Sequence, residues 1–574
     1  MRKLLANFKW YDFIIMLLAI GLIVVQVYYE MELIDNMAEI IGKVQASLPV
    51  ADIWQTGKKM LLTAAIIMIC ISVSSCLSTM LAAKYAQRLR SKVFRKVNDF
   101  SQEEINKFSV ASLITRSTND ITQVQMTLQM SLRMAIMAPC MGIFSIVRVV
   151  NTSSTMSWAT AIAVIVMFIM FAFLFFAVMP AFNKVQKSTD RINLVARENL
   201  TGLKVIRAYN TESLQEEKFD TENKKLSGLL LYTSKVLSLM NPGMTLISNG
   251  LNLTIYWLGA YLINTQGLVY SNLIAFTSYG MHILMSFMFL SAVIIMLPRG
   301  IISARRIAEV LSKESKIKEG TFDGNTKIKG EIEFKNVSFR YPDAEMNVLE
   351  NINFVAHKGQ TVAFIGSTGS GKSTLINLIP RFFDATFGEV LIDGVNIKEY
   401  SQKALNDKLG FVPQKGLLFS GSVRDNIKYG AEDIDDKKIN ECLKVSQASF
   451  VKELDGGLDY EIAQGGTNVS GGQRQRLCIA RAIAKDPEIY VFDDSFSALD
   501  YKTDKALREA LGKYTKDATK VIVAQRVGTI LDADKIIVLD QGKMVGQGTH
   551  KELMKNCSVY KEIALSQLSK EELM

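Results

Sequence analysis

The chain has no closely spaced pair of cysteines. Its six, Cys70, Cys76, Cys140, Cys442, Cys478 and Cys557, include no CxxC, so neither a disulfide framework nor a zinc site is supported. The segments 151–157 and 263–271 lack Lys and Arg altogether, although the net charge is +10. That charge alone would fit nucleic acid or an anionic membrane surface. Its placement decides between them. Residues 82–130 carry Lys84, Arg88, Arg90, Lys92, Arg95, Lys96, Lys107 and Arg116 between two apolar runs, and 181–235 carry a similar load. This asymmetry is the positive-inside pattern, and it accounts for much of the excess without nucleic acid. The start, MRKLLANFKWYDF, has the charge of a signal peptide, but no small-x-small cleavage site follows. It reads as a retained first span behind an amphipathic turn of Leu4, Leu5, Phe8 and Tyr11.

A bilayer core takes roughly 20 apolar residues per helix. Six runs qualify, about 11–31, 59–82, 130–150, 157–180, 237–262 and 272–297. Long basic loops follow the second and fourth, so both termini and the second half are expected in the cytoplasm. External connections should be short except 32–58. The two inner loops, each about 50 residues, read as helical and should project well beyond the membrane. Polar groups inside spans are functional suspects. Asn249, Asn252 and Tyr256 share one helical face, suited either to interhelical hydrogen bonds or to a translocation cavity. His282 reads as packed and neutral. Met126, Met130, Met134, Met137 and Met141 form a stripe that suits packing or varied apolar ligands. Arg133 and Arg148 sit where snorkelling explains them.

The second half carries the chemistry. GSTGSGKST, Gly366 to Thr374, lies between the apolar strand TVAFI and the helical periodicity of LINLI, and it fits GxxxxGK[ST] in its required context. Gly366, Gly369 and Gly371 let the N–H groups of Ser367, Thr368 and Ser370 close on phosphates at a helix start. Lys372 should reach the β- and γ-phosphates of ATP, Ser373 should hold Mg²⁺, and Thr374 should help at the α-phosphate. Further on, Val469, Ser470, Gly471, Gly472 and Gln473 open a basic helix. Ser470 and Gln473 fit a capping box, yet the two glycines also suit a phosphate-binding helix start. The apolar strand that follows ends in Asp493 and Asp494, the former placed to hold Mg²⁺.

This pairing of VSGGQ with an apolar strand ending in acids resembles ATP-binding cassette (ABC) proteins. ASLITRSTNDI (111–121), ENLTGLKVIRAYNTESLQEEKFD (198–220) and SARRIAEVL (303–311) extend the resemblance, to ABC exporters, over essentially the whole chain. It implies an all-α six-helix transmembrane domain over 1–311, a linker over 312–329 and an α/β P-loop cassette over 330–574. In that family a short helix in each inner loop presses on the cassettes. The resemblance assigns Tyr341 to adenine stacking, Gln414 to the loop that contacts Mg²⁺ or water, and Asp500 to the dimer interface. It gives VSGGQ to the γ-phosphate held by another cassette, so a working transporter needs two.

Three positions depart from that family's pattern. Asp494 replaces the glutamate that orients or deprotonates the attacking water, Gln525 replaces the switch histidine, and Gln464 stands where a glutamate is common. Shortening Glu to Asp withdraws the carboxylate by one C–C bond, about 1.5 Å. Misplacement on that scale can cost on the order of a hundredfold in rate. Gln525 can donate to a phosphate oxygen but has no titratable proton. The expectation is one half of a heterodimeric exporter of amphipathic drugs or lipids in a plasma membrane, of a bacterium by resemblance. It would hold Mg²⁺ and ATP at a slow site, beside a partner with intact Glu and His. The alternatives are a regulatory subunit that gates without useful hydrolysis, and an importer on the exporter fold. No peptidase domain precedes the spans, so processing of leader peptides is not expected.

Overall fold

A computed structural model describes residues 6–568 apart from 153, 267, 268, 343, 430 and 432. Contacts divide the chain into two units, Met1–Asn98 with Ala111–Lys313, and Asp99–Val110 with Glu314–Met574.

The first unit is helical apart from short connections. Its long helices are Trp10–Gln45, Val50–Asn98, Asn119–Thr152, Ser154–Tyr209, Glu212–Ser238, Met240–Gln266 and Tyr270–Ser312. Among the described residues five stretches are long and apolar enough to cross a membrane: Trp10–Gln45, Val50–Asn98, Val110–Thr152, Met156–Tyr209 and Tyr270–Ser312. The run at 237–262 falls in the helix Met240–Gln266, where Asn241, Asn249, Asn252 and Asn264 hold hydropathy down. A core of Met31, Met156, Met167, Ile255, Phe276 and Tyr279 draws on four helices.

Two expectations about connections need correction. The external loop expected over 32–58 is itself helical and leaves only residues 46–49 as a link. Ile34 and Ala38 keep a buried stripe going past the apolar run, and Lys43 pairs with Glu39 at 2.7 Å one turn back. A short helix was also expected in each inner loop. The first has two, Gln102–Phe108, started by a Ser101–Glu104 capping box and ended by Ser109 at φ +60°, and Val110–Ser117. In the second, Ser154–Tyr209 runs straight to Asn210 at φ +51°, and Glu212–Ser238 starts two residues later. Nothing in ENLTGLKVIRAY breaks the helix earlier.

Some charges in this unit are paired. Arg88 donates to Asp12 at 2.6 Å, and Asp12 is buried. Arg148 does more than snorkel, because it lies 3.1 Å from Asp35, which also accepts a bond from the Tyr279 hydroxyl. His282 keeps its packed role, half-buried with Nδ1 3.0 Å from the Ser278 carbonyl oxygen.

The second unit contains three sheets. Strands β1 (Ile332–Phe339), β2 (Leu349–Ala356), β4 (Phe387–Ile392) and β5 (Val395–Asn396) form an antiparallel sheet in the order β2-β1-β4-β5. Strands β3 (Thr361–Gly366), β6 (Leu409–Val412), β9 (Ile489–Asp493), β10 (Thr519–Val523), β11 (Lys535–Asp540) and β12 (Lys543–Gly548) form the other large sheet, in the order β12-β11-β3-β10-β9-β6. All its pairings are parallel except β11 with β12. Strands β7 (Gly421–Ser422) and β8 (Glu461–Ile462) pair separately. β9 and β10 are buried at every residue, as parallel strands covered on both faces require.

Residues 314–329 lie on the cassette. Phe322 bridges Tyr400 with ring centroids 5.0 Å apart, and a Cβ on Gly320 would sit 2.1 Å from the Glu399 carbonyl oxygen. Nearby, the buried Asp393 accepts from Lys408 Nζ at 2.7 Å, Glu331 N at 2.9 Å and Thr326 Oγ1 at 3.1 Å. That carboxylate ties the entering segment, β1 and the start of β6 together. Removing one partner of a buried pair leaves an uncompensated charge. Asp393→Ala should therefore destabilise the full-length chain by about 3–5 kcal/mol, read from denaturant unfolding in detergent. Asp393→Asn, which keeps an acceptor for Glu331 N, should lose less.

Candidate nucleotide site

The order of the large sheet builds the site. β10 separates β3 from β9, so the loops leaving the carboxyl ends of all three converge, as open α/β sheets do at a ligand crevice. After β3, the chain turns through Gly366 to Gly371 into the helix Lys372–Leu378. Gly369 and Gly371 have φ of +85° and +96°, which an L side chain adopts only under strain. A Cβ on Gly371 would also lie 2.7 Å from Leu349 Cδ2. Within the loop, Ser370 N bonds the Ser367 carbonyl oxygen at 3.2 Å. Lys372 Nζ curls back to the carbonyl oxygens of Ser367 at 2.7 Å and Gly366 at 2.9 Å, and reaches Ser370 Oγ at 3.3 Å. An ammonium held by carbonyls within its own loop is placed to move onto a phosphate. Thr368 and Gly369 complete the exposed rim.

Across from the loop, Ser373 Oγ donates to Asp493 Oδ1 at 3.0 Å. A hydroxyl and a carboxylate so close offer the hard oxygen donors that Mg²⁺ takes alongside phosphates and water. Among the described residues no group of three His, Cys, Asp or Glu gathers into a cage, and that mode of binding needs none. The residues fit the ion. Burial pushes the Asp493 carboxyl up from the ordinary carboxylate value; the Ser373 bond and Lys372 oppose this, and the charge of Asp494 adds to it. Burial also pushes the Lys372 ammonium down, against the pull of Asp494 and Asp493.

Asp494 leaves β9 at φ +46°, its amide bonded to the Val523 carbonyl oxygen of β10 at 3.0 Å. Its Oδ2 accepts from Gln525 Nε2 at 2.8 Å and Gln414 Nε2 at 3.3 Å. The two expected departures, Asp494 and Gln525, thus bond one another, and Gln414 joins them. Burial pushes the Asp494 carboxyl up, with the Gln414 and Ser497 bonds opposing. Tyr341 reaches the same loop, its hydroxyl 3.2 Å from Thr374 Oγ1 and its ring edge-on to Phe339 and Phe383.

The signature stands apart from these groups. Ser470 caps the helix Gly471–Ala484: its Oγ accepts from Gln473 N at 3.2 Å, and its N donates to Gln473 Oε1 at 2.9 Å. The capping box is therefore real. Val469 is buried in the core, whereas Ser470 and Gly471 are exposed. Gly472 faces the Ala498 carbonyl oxygen, 3.2 Å from where its Cβ would be. Asp500 caps the next helix, accepting from Thr503 N at 2.9 Å, and Gln464 is exposed.

Gln567 went unnoticed in the sequence. It ends the helix Ser558–Gln567, where Nε2 donates to the Gln525 carbonyl oxygen and Oε1 accepts from Val527 N, both at 2.8 Å. A lone glutamine some 40 residues downstream carries no motif signal. Gln567→Glu should keep the Val527 bond and lose the one to Gln525, and Gln567→Ala should lose both. A hydrogen bond is worth about 0.5–1.5 kcal/mol net. Either change should shorten the lifetime of ATP trapped at this site in the assembled transporter by about two- to tenfold.

Known proteins resemble this chain along most of its length. Residues 13–288 match the ABC transporter transmembrane region, and 349–497 match the ABC transporter cassette. An uncharacterized ABC transporter ATP-binding protein of Mycobacterium tuberculosis is 37% identical over 538 residues, with 92% of each chain covered. A putative multidrug export ATP-binding/permease protein of Staphylococcus aureus is 31% identical over 478 residues, covering 83% of this chain and 82% of that one. The solved structure of a bacterial Atm1-family ABC exporter with ATP bound superposes with a TM-score of 0.77 at 21% identity, over 99% of both chains. With its phosphate loop, signature and acid-ended strand behind a helical membrane unit of that exporter's fold, the chain belongs to the ABC transporter family, as a membrane-spanning region and an ATP-binding cassette in one polypeptide.

Proposed function

We propose that this chain is one subunit of a heterodimeric ATP-driven exporter that moves amphipathic drugs or lipids out of the cytoplasm or inner leaflet. It contributes a slowly hydrolysing ATP site of its own and the signature of its partner's active one. The observation that carries the reading is the bond between Asp494 and Gln525, 2.8 Å long. A carboxylate one methylene short of glutamate is occupied by two side-chain amides, Gln525 and Gln414, where attack on the γ-phosphate calls for a free base and an imidazole. The binding groups Lys372, Ser373, Asp493 and the glycine cradle remain in place. ATP would bind here with Mg²⁺ and turn over slowly.

The partner is a homologous half with intact Glu and His. Ser470 to Gln473, exposed at a helix N-terminus, would meet the γ-phosphate on that half's phosphate loop. ATP binding would close the two cassettes, and the first inner-loop helix, Gln102–Phe108, would carry that closure to the spans. The multidrug name of the Staphylococcus relative supports export, and the apolar, multi-pass membrane unit supports placement in a bacterial cytoplasmic membrane with both termini inside.

Ser470→Ala tests shared catalysis. In the assembled transporter it should reduce ATPase activity by roughly a hundredfold, as removal of a transition-state donor does, while ATP binding at this chain's own site persists. Unchanged turnover would favour the regulatory reading. Fast, transport-coupled ATPase activity from a dimer of this chain alone would overturn heterodimerisation, and net movement into the cytoplasm in inside-out vesicles would identify an importer.

A further inference from the structure

The membrane unit holds a cavity of about 540 Å³, in the size range that accommodates one drug-sized ligand. Phe168, Phe171, Phe176 and Phe182 line it from the helix Ser154–Tyr209, Met240 from the start of the helix Met240–Gln266, and Arg299 from Tyr270–Ser312. From Phe168 to Phe182 the helix rises about 20 Å, against a hydrocarbon core of about 30 Å. Phe182 and Arg299 lie just past the apolar runs 157–180 and 272–297, beside the basic inner loop that begins at Lys184. The cavity therefore starts at the inner interface and reaches well into the bilayer. Pro180 and Pro298, inside the two walling helices, each remove a backbone donor at that boundary.

Arg299 carries the only charge among the described lining residues. Arg88, Arg116 and Arg148 pair with Asp12, Glu309 and Asp35, but Arg299 is exposed and has no carboxylate within 4 Å among the described residues. Snorkelling accounts for an arginine at a helix end; it does not account for four phenylalanines and a methionine sharing one open cavity wall with it, Phe168 and Phe176 largely exposed there. An apolar slot with an uncompensated guanidinium at its mouth matches a molecule with an apolar tail and an anionic head.

We infer that this cavity binds a single-chain amphiphile with an anionic head, such as a fatty-acid carboxylate or a lysophospholipid phosphate. The chain lies among the phenylalanines and the head rests on Arg299. Cationic amphiphiles of the same chain length are disfavoured by the same charge. The inference rests on the export reading only for the direction of movement.

The test uses the assembled transporter in nanodiscs of zwitterionic lipid, with a photoactivatable palmitate analogue and a trimethylammonium probe of the same chain. The palmitate probe should label the Ser154–Tyr209 helix and bind about tenfold tighter than the cation, a difference of about 1.4 kcal/mol. R299E should reverse that order, R299K should preserve it, and F176A should weaken both probes alike. A free lysophosphatidic acid that competes would place phosphate heads in the same site. Equal labelling of wild type and R299E, with R299K confirming an intact fold, would overturn the inference, as would preference for the cation in the wild type. Palmitate binding without ATP-dependent movement would sink export and leave the site standing. Export of a cationic drug without palmitate binding would sink the site and leave export standing.

Discussion

β10 pairs in parallel with β3 on one side and β9 on the other, and Asp494 N extends this ladder one residue further by bonding the Val523 carbonyl oxygen. That single strand fixes the distance between the phosphate loop after β3 and the acidic end of β9. It also delivers Gln525 between them. Every residue of β9 and β10 is buried, so a one-residue slip would turn each side chain to the other layer and is strongly resisted. The precision of Ser373 against Asp493, and of Gln525 against Asp494, follows from that register rather than from the loops themselves.

The membrane unit faces the opposite constraint, since its helices present apolar surface nearly all round and position is set by the few polar pairs. Asp12 with Arg88 joins two successive helices, and Asp35 with Arg148 and Tyr279 joins helices far apart in sequence, at the two ends of the spans. Hydrocarbon offers no driving force between apolar helices, so such bonds and close packing supply it. Asn249 and Tyr256, by contrast, lie exposed on Met240–Gln266. This is the surface a single subunit would leave for a translocation path or for another chain.

Much of the site was legible because its chemistry is local. The glycines, lysine and serine of 366–374 act within one loop, and the capping box at Ser470 is a four-residue pattern; both stand where the motif puts them. Asp493 could be named because an apolar strand that ends in an acid matches the Mg²⁺-holding pattern of nucleotide-binding proteins. What stayed hidden depends on chain segments far apart. The direct bond from Gln525 to Asp494, and the grip of Gln567 on the 525–527 loop, need the sheet order, which no single motif states. The same limit explains the inner loops. Residues 198–220 resemble a segment with its own short helix, but the helix Ser154–Tyr209 continues through Gly202 and ends only at Asn210 in the left-handed region.

The capping box bears on how VSGGQ can be both an ordinary helix start and, in the proposed reading, part of a catalytic site. Its reciprocal bonds engage Ser470 and the N–H of Gln473, yet Gly471 and Gly472 keep their amides at the N-terminal end with no side chain to shield them. A box of this kind rigidifies the turn without consuming the helix's capacity for an anion. None of the recorded bonds of Ser470 reaches this chain's own phosphate loop, and its neighbour Val469 anchors it in the core beneath. The turn is thus preorganised and outward-facing at once, the arrangement expected of a group that serves a nucleotide held elsewhere. In the proposed reading, weakened water-attack residues in the chain's own site leave that outward function untouched, because among the described residues Asp494 and Gln525 make no hydrogen bond to Ser470 or Gln473. In the heterodimeric reading, loss at one site and retention at the other are therefore physically independent.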